Sequence, residues 1–302
     1  MPFEIVVVGS CNLDLVVAVG QIPKVGETIL GGDLERISGG KGANQAVAAS
    51  RLGNSVAMVG RVGDDDAGMF LRGEMDANRV NTEFLFKTSG VPSGVALIAV
   101  QNDGDNTIVV SPGANGRLSP DDIIASPPVG EAKIVLLQAE IPMDTILAAA
   151  RTATGTVIWN PAPAPTETIP LELLDLVDVL VLNQTELALL SGMETIDNME
   201  KAVEAAKTLP CSSKIVTLGA QGAVVIASND TAVIPAPLIT PVDTTAAGDA
   251  FCAALAGSLI ERNDLVAAAQ WAVQVGAATA LVSGAQPSLP TPAEVRERLK
   301  NG

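Results

Sequence analysis

Three short segments of the sequence carry residue types that could bind a ligand or move a proton. In the first, residues 38–45, three glycines surround Lys41 and lead directly into a predicted helix. Glycines at such a junction allow a ligand to approach the backbone closely, although a tight turn would need the same residues. The segment is not a Walker A loop, because Lys41 is followed by Gly42. It is not a dinucleotide fingerprint either, because Gln45 stands where the third glycine should be.

The second segment places two polar residues just after the first predicted strand. Asn12 and Asp14 are two residues apart, so in an extended chain both side chains face the same side. Together they offer donors and acceptors that suit vicinal hydroxyl groups, at the strand end where α/β sheets place ligands. A turn-forming Asn/Asp pair is the alternative interpretation, because both residue types are common after strands.

The third segment, residues 243–251, is rich in Thr, Ala and Gly and leads into a predicted Ala-rich helix. Small residues leave the first N–H groups of that helix unobstructed, so the start of the helix can stabilise the negative charge of a phosphate. Asp249 lies in the first helical turn, where the helix dipole favours a carboxylate. It is either a proton acceptor beside the anion site or an ordinary acid that complements the dipole.

The composition excludes several kinds of catalysis and several partners. The 302 residues include no histidine and no tyrosine, which rules out Ser-His-Asp and Cys-His catalysis and histidine-ligated metals. A catalytic base must therefore be an Asp, Glu or Lys side chain. Cys11, Cys211 and Cys252 are far apart, so neither a thiolate metal site nor a disulfide framework is indicated. The formal net charge of −16 argues against nucleic acid and anionic membranes as partners.

The elements that must position these segments follow a βαβ rhythm. Strands are predicted at residues 5–9, 56–61, 134–138, 156–160, 179–183 and 214–218. Helices are predicted at residues 42–52, 66–78, 143–152, 185–191, 199–209, 247–261 and 264–283, and a last one starts at Pro292. The pattern predicts a single α/β domain over residues 1–302, with a doubly wound, mostly parallel sheet flanked by helices.

Two regions interrupt this rhythm and predict a small β-sheet lid. Residues 13–38 and 95–110 resemble strands joined by turns without intervening helices, and residues 102–106, Asn-Asp-Gly-Asp-Asn, are a strong hairpin-turn signal. A lid with one apolar face would expose that face on a monomer. Pairing two lids would cover it, so a homodimer is expected.

These segments, taken in their order, resemble the ribokinase-like family of carbohydrate kinases, also called the phosphofructokinase-B family. Residues 39–45 are similar to the family's N-terminal signature in its ribokinase form, and residues 243–249 to its C-terminal signature. The resemblance covers essentially the whole chain, and Ala246, where relatives often have Gly, is a familiar variant. It implies ATP-dependent phosphorylation of a sugar. Ribose is favoured, because fructokinases and adenosine kinases usually lack the equivalent of Lys41.

The resemblance also implies roles for the matching residues. Asp249 would deprotonate the acceptor hydroxyl, while the N–H groups of Ala246, Ala247 and Gly248 stabilise charge on the phosphoryl group. The sugar site would contain Asn12, Asp14, Gly40, Lys41, Asn44, Glu140 and Asp249. The ATP site, with Mg²⁺ organised through water by Asn183 and Glu186, would also contain Thr217, Gly219, Ala220, Gln221, Gly222 and Gly248. A potassium ion beside the anion site would be held by Asp243, Thr245, Thr279, Val282, Gly284 and Ser288.

Other functions remain open at this level. A kinase for deoxyribose, fructose or a nucleoside such as pseudouridine would use the same motifs. A sugar-binding regulator would keep the fold without catalysis, although the retained Asp249, Asn183 and Glu186 disfavour it. An oxidoreductase is disfavoured by the missing third glycine. No basic leader precedes the first strand, so a cytoplasmic location is expected.

Overall fold

The computed structural model describes residues 2–101, 105–227 and 230–301. Thirteen strands form two sheets within these ranges. The strands are β1 (Ile5–Val8), β2 (Asn12–Val19), β3 (Leu34–Gly39), β4 (Val56–Gly63), β5 (Leu85–Thr88), β6 (Gly94–Gln101), β7 (Asn106–Ser111), β8 (Ile134–Leu137), β9 (Thr156–Trp159), β10 (Val179–Asn183), β11 (Ser213–Thr217), β12 (Ala223–Ala227) and β13 (Asp230–Ile234).

Twelve helices accompany the strands in the same ranges. They are α1 (Lys41–Arg51), α2 (Asp66–Ala77), α3 (Pro120–Ile124), α4 (Pro128–Glu131), α5 (Met143–Thr152), α6 (Leu171–Leu176), α7 (Gln184–Ser191), α8 (Met199–Lys207), α9 (Ala247–Arg262), α10 (Leu265–Thr279), α11 (Ala285–Ser288) and α12 (Pro292–Asn301). None of the described helices is long and apolar enough to cross a membrane.

The larger sheet has nine strands in the order β13-β12-β11-β10-β9-β8-β1-β4-β5. The strands from β11 to β5 are parallel, and β12 and β13 extend one edge as antiparallel strands. The predicted fold class, a mostly parallel α/β sheet flanked by helices, is therefore confirmed. The sequence patterns did not predict β5, β12 or β13.

The strands of this sheet are buried on both faces, so that each face has its own core. In β1, Ile5 and Val7 point into one core with residues of α1, α9, α10 and α12. Val6 and Val8 point into the other, with residues of α5, α7 and α8. Successive side chains of a strand face opposite sides, which explains why the strand sequences are continuously apolar rather than alternating.

The smaller sheet has four strands in the order β3-β2-β6-β7 and corresponds to the predicted lid. β2 pairs antiparallel with β3 and parallel with β6, and β6 pairs antiparallel with β7. Residues 20–33, inside the first predicted lid segment, form no strand. Of the predicted hairpin turn, residues 102–104 lie outside the described residues.

The predicted helices are confirmed, except that the prediction for residues 264–283 was too long. Asp264 caps α10 as expected, since its carboxylate accepts hydrogen bonds from the N–H groups of Val266 and Ala267. The helix ends at Thr279. Beyond it, the carbonyl of Ala280 accepts hydrogen bonds from the N–H groups of Val242 and Asp243, so tertiary contacts take the chain out of the helix.

Candidate active site

Polar side chains from several strands meet at one edge of the larger sheet. Asn12 follows β1, Glu140 follows β8, and Asn183 and Thr217 are the paired last residues of β10 and β11. All four lie at carboxyl ends of parallel strands, where α/β sheets bind ligands. The strand order also reverses here, because β4 and β8 lie on opposite sides of β1.

Asp249 lies at the centre of this edge, in the first turn of α9. Its side chain is buried, with only 5 % of the residue exposed. One carboxylate oxygen, Oδ2, accepts a hydrogen bond from Asn44 Nδ2 at 3.0 Å, and Oδ1 accepts one from Gln45 Nε2 at 3.2 Å. Burial raises the pKa of Asp249, while the positive charge of Lys41 and these two amide groups act in the opposite direction.

Lys41 is the cation that faces the acidic residues of the site. Burial alone would lower the pKa of Lys41, but the charges of Asp249, Glu140 and Glu186 outweigh burial and raise it. The ammonium group therefore stays charged and compensates part of the negative charge of the three carboxylates. Lys41 offsets only part of this negative charge, so binding of a phosphorylated ligand would also need the N–H groups at the start of α9.

Asp14 and Glu140 contribute further carboxyl groups on the side of the small sheet. Burial, followed by the charges of Glu140 and Asp249, raises the pKa of Asp14 to about 7. Glu140 Oε2 accepts hydrogen bonds from the hydroxyl of Ser10 and, at 3.0 Å, from the N–H of Lys41. Glu140 thereby connects the end of β8 to the start of α1.

Asn12 is held in place by Asn115, a buried residue of the 3-10 turn after β7. Asn115 Nδ2 donates to Asn12 Oδ1 at 2.8 Å, and Asn115 also bonds both backbone groups of Cys11. A Cβ atom on Gly94 would lie 2.2 Å from the amide groups of both asparagines. Glycine at position 94 is therefore required for this contact.

The glycines of the first signature allow α1 to start directly against the end of β1. Gly40 has φ +86°, and a Cβ there would lie 2.7 Å from the backbone nitrogen of Asn12. A Cβ on Gly42 would lie 2.6 Å from the backbone nitrogen of Ser10. Any other residue would push the helix, and with it Lys41 and Asn44, away from the strand.

The start of α9 is the candidate anion site. Ala246 precedes the helix with φ +60°, a left-handed conformation that glycine adopts more readily than alanine. Gly248 is exposed, and a Cβ added to it would meet no atom within 4 Å. The N–H of Ala247 donates to the carbonyl of Thr244 at 3.2 Å, so this donor is already engaged.

A cleft of about 500 Å³ opens in front of Gly248. It is lined by six of the residues expected at the nucleotide, namely Asn183, Thr217, Gly219, Ala220, Gly222 and Gly248. Its remaining wall is mainly apolar, from Ala236, Pro237, Leu238, Ile239, Pro241, Ala247, Phe251, Val273, Gly276, Ala277 and Ala280, with Gln184, Thr185 and Thr244 as its polar members. Gln221 instead lines a separate surface groove beside α8.

Asn183 and Glu186 cap the start of α7. Asn183 Oδ1 accepts from the N–H of Glu186 at 2.8 Å, and the Glu186 carboxylate accepts from the backbone N–H and the side-chain amide of Asn183, both at 2.9 Å. Burial raises the pKa of Glu186. This reciprocal cap is a structural role for the pair, and it presents Asn183 at the mouth of the cleft.

The two loops expected to hold a monovalent cation are joined by Asp243. Its carboxylate accepts from the N–H of Thr245 at 2.9 Å and from the N–H of Gly284 at 2.8 Å. These hydrogen bonds outweigh burial and lower the pKa of Asp243. Among the described residues, the backbone and side-chain hydrogen bonds given for this region do not involve the carbonyl oxygens of Thr245 and Val282.

The other two expected cation ligands are engaged within their own segments. The Thr279 hydroxyl donates to the carbonyl of Val275 at 2.9 Å, and the Thr279 carbonyl accepts from the N–H of Val282. Ser288 is fully buried, and its hydroxyl donates to the carbonyl of Ala285 at 2.7 Å. The oxygen-rich donor set fits a potassium ion, with the backbone carbonyls as its clearest part.

The sequence as a whole matches the description "pfkB family carbohydrate kinase" over residues 3–292. The chain belongs to this family of carbohydrate kinases. It is 39 % identical to a ribokinase of Bacillus subtilis over 98 % of this chain and 99 % of the relative. It is also 34 % identical to a deoxyribokinase of Salmonella typhi over 98 % of both chains.

Solved structures of pfkB-family kinases agree with the fold described above. The structure of Arabidopsis thaliana ribokinase complexed with ribose and ATP superposes with a TM-score of 0.88 at 33 % identity, covering 99 % of both chains. A ribokinase from Thermotoga maritima gives a TM-score of 0.89 at 35 % identity, covering 99 % of this chain and 100 % of the other. The family resemblance inferred from the two signatures is confirmed.

The structure of this kinase adds residues that sequence reasoning did not assign. Gln45 bonds Asp249, Gln138 bonds Gln45, Asn115 orients Asn12, and Ser10 bonds Glu140. Gln45 belongs to the recognised signature, so its position was a usable signal. Gln138 ends an otherwise apolar strand run, which is also a signal. Asn115 lies in a short Gly-Ala-Asn-Gly segment, residues 113–116, and offered no such signal.

Proposed function

We propose that this kinase transfers the γ-phosphoryl group of ATP to the 5-hydroxyl of D-ribose, with Asp249 as the general base. The observation that carries the proposal is the position of the α9 N-terminus between two sites. Gly248 faces the cleft that would hold the nucleotide. The Asp249 carboxylate faces Asn44 and lies close enough to Asp14 to affect its pKa, on the side that would hold the sugar.

In the proposed reaction, an Asp249 carboxylate oxygen accepts the proton of the sugar hydroxyl. The hydroxyl oxygen forms a bond to the γ-phosphorus as the bond from that phosphorus to the β–γ bridging oxygen breaks, releasing ADP. Asp14, Asn12 and Glu140 would hold other sugar hydroxyls as hydrogen-bond acceptors or donors. Their convergence on one spot orients the acceptor, which is a large part of the catalysis available to a kinase.

Charge on the transferring group would be stabilised by the start of α9 and by Lys41. Gly248 lines the cleft, and its N–H would donate to a phosphate oxygen, as would that of Ala247 in exchange for its 3.2 Å bond to Thr244. Asn183 and Glu186 would organise the water shell of Mg²⁺. When bound, Mg²⁺ neutralises charge on the ATP phosphates.

The wall of the cleft supports a purine nucleotide as phosphoryl donor. Phe251, Val273 and Ala277 belong to an apolar surface of the kind that packs against planar rings. The small sheet carries Asp14 on β2 and would close over the sugar as a lid. Such closure excludes water, which would otherwise compete as the acceptor.

Deoxyribose is the second candidate substrate, because a deoxyribokinase is nearly as similar to the chain as several ribokinases are. The test is ADP release from ATP and Mg²⁺ with ribose, deoxyribose, fructose and nucleosides. We expect the highest kcat/KM with ribose. A higher value with deoxyribose would replace ribose by the second candidate, and ADP release with none of them would reject the sugar-kinase proposal.

The role of Asp249 is tested by Asp249→Asn. This variant should fold and bind ribose almost normally but lose most turnover, because a positioned base contributes roughly 10²–10⁴ in rate. Retention of more than about a tenth of wild-type kcat would reject Asp249 as the base.

A further inference from the structure

A chain of buried side-chain amides leads from β8 to the Asp249 carboxylate. Gln138 Nε2 donates to Gln45 Oε1 at 2.7 Å, and Gln45 Nε2 donates to Asp249 Oδ1 at 3.2 Å. Gln45 and Gln138 are both fully buried, with no exposed surface. Two amides in series therefore end on one carboxylate oxygen, while Asn44 bonds the other.

The carboxylate fixes the direction of this chain. An ionised Asp249 only accepts hydrogen bonds, so Gln45 must present its NH₂ group to Asp249 and its oxygen to Gln138. Gln138 must then present its own NH₂ group to Gln45. The opposite orientation of either glutamine would place two acceptors against each other.

The structure favours this direction although it leaves one buried atom without a partner. Gln138 Oε1 accepts no hydrogen bond from the described residues. A Cβ on Gly9 would lie 2.0 Å from this oxygen, so glycine at position 9 makes room for the side chain. The Trp159 indole does not supply a donor to this oxygen, because its Nε1 donates to the backbone carbonyl of Gln138 at 3.4 Å. A buried polar atom without a partner is unusual in proteins and calls for a reason.

We propose that Gln45 and Gln138 are positioning residues that hold the Asp249 carboxylate in the orientation in which it accepts the proton of the sugar hydroxyl. The proposal rests on the proposed role of Asp249 as base. Gln45 acts directly on the carboxylate, whereas Gln138 acts only through Gln45. Neither side chain needs to touch sugar or nucleotide.

Loss of the Gln45 hydrogen bond would have two consequences at Asp249. The carboxylate would rotate more freely, and its ionised form would lose one of two neutral donors, which would raise its pKa. The charged and titratable groups around Asp249 would all remain, since none of them lies on the changed residues. These groups are Lys41 on α1, Glu140 after β8, Glu186 on α7, Asp14 on β2 and Cys252 on α9.

The first test is Gln45→Met, which keeps the length of the side chain but removes the amide. We expect the acid limb of the kcat profile to move to higher pH by about one unit. On the plateau, kcat should fall about 10- to 100-fold because the base is less well oriented. KM for ribose and for ATP should change less than about threefold, since ground-state contacts are retained.

The second test uses Gln138→Leu and the double variant. Gln138→Leu should shift the pH profile in the same direction by a smaller amount. The double variant should be no worse than Gln45→Met alone, because residues that act through one another are not additive. If the two losses multiplied in the double variant, the two residues would act independently and the proposed chain would be wrong.

Thr145→Val is a matched control on α5. Thr145 is fully buried, and its hydroxyl donates to the Leu118 carbonyl at 2.8 Å, so the variant also loses one buried hydrogen bond. Its pH profile should equal that of the wild type. Titration of the ¹³C-labelled Asp249 carboxyl group gives a readout that does not require turnover and should show the same upward shift in Gln45→Met and Gln138→Leu.

Comparison with Asp249→Asn separates this proposal from the proposed function. Suppose that Asp249→Asn is inactive but that Gln45→Met keeps the wild-type acid limb of the kcat profile and the wild-type plateau kcat. That result would overturn the positioning role alone. An active Asp249→Asn would overturn both. A shifted carboxyl titration with unchanged plateau kcat would also reject positioning, since the amides would then affect only the charge of Asp249.

Discussion

The carboxyl group of Asp14 is expected to make sugar binding depend on pH in the neutral range. Its pKa is raised to about 7 by burial and by the charges of Glu140 and Asp249. Because the raised pKa means that falling pH protonates Asp14, the group loses its capacity as a charged acceptor below neutrality. We expect KM for ribose to rise roughly tenfold between about pH 8 and about pH 6, with KM for ATP nearly constant.

Asp14→Asn is the control for this dependence. The variant should have a raised KM for ribose that no longer changes over the same pH range. If KM for ribose still changed with pH in Asp14→Asn, another group would be responsible for the titration. Equal pH dependence of both substrates would place Asp14 outside the sugar site.

At the residue scale, the sequence offered candidates within its two signatures and at strand ends, such as Asn12 and Glu140, and their roles stay predictions. Asn44 was placed in the sugar site from its motif, and the structure shows that it bonds Asp249 directly. The side chains that orient these candidates were not predicted, because each depends on a distant contact. Asn115, for example, reaches Asn12 across 103 residues of sequence, and neither residue carries a local pattern that specifies the other.

At the scale of elements, the start of α9 combines helix formation with an open approach to the nucleotide cleft. Gly248→Ala adds a methyl group that would meet no atom within 4 Å and raises helix propensity by up to about 1 kcal/mol. The melting temperature should therefore stay equal or rise. The same methyl group occupies space that the phosphates need, so we expect kcat/KM for ATP to fall by at least about tenfold.

Gly73→Ala is the matched control for this change. Gly73 lies within α2, and a Cβ there would also meet no atom within 4 Å. Gly73→Ala should gain similar helix propensity without loss of activity. Full activity of Gly248→Ala would show that the phosphates do not approach this turn.

The two loops that Asp243 joins, one containing Thr245 and the other Gly284, form a second part of the structure whose function can be tested. The carbonyl oxygens of Thr245 and Val282 can replace part of the hydration shell of K⁺, and the ion would fix the loop that precedes the candidate anion site. We expect K⁺ to raise kcat more than Na⁺ does at matched ionic strength, in a buffer whose only other cation is a bulky organic one.

Asp243→Ala should lose this preference, because the carboxylate links the two loops through Thr245 and Gly284. Asp264→Ala is the control, since Asp264 also caps a backbone turn but lies at the far end of α10. If Asp243→Ala responded to K⁺ as strongly as the wild type, the cation would act elsewhere.

The ends of helices and strands could be predicted where local sequence signals determine them. They could not be predicted where contacts with distant residues determine them. α5 was predicted at its observed bounds, Met143–Thr152, from its apolar periodicity. The end of α10 was misplaced because the contacts of Ala280 with Val242 and Asp243 are invisible in the local sequence. β12 was missed because a short apolar run after a glycine turn suits a strand or a buried helix segment equally well.

At the scale of the whole molecule, the small sheet presents apolar side chains that a second copy of the chain would cover. Leu97 on β6 and Val109 on β7 are directly paired and are 53 % and 59 % exposed. Ile108, on the opposite face of β7, is 52 % exposed. Exposed apolar edge strands favour association, which supports the expected homodimer through the lid.

The dimer is tested with Leu97→Lys/Ile108→Lys, which places one charge on each face of the sheet. We expect the mass measured by light scattering to fall from that of two chains to that of one, with a higher KM for ribose because the lid loses support. Leu189→Lys changes a leucine on α7 that is at least as exposed as Leu97 and should leave the dimer intact. A monomeric wild type at micromolar concentration would contradict the prediction.

The amide chain behind Asp249 also gives the protein an optical reporter of its own. The sequence contains two tryptophans and no tyrosine, so indole fluorescence comes from Trp159 and Trp271 alone. Trp159 is fully buried and hydrogen-bonded to the backbone of Gln138, whereas Trp271 lies on α10. In a Trp271→Phe background, the emission of a single indole would follow rearrangements beside the base without any attached dye. Ligand binding and proton uptake at the site could then be timed separately from product formation.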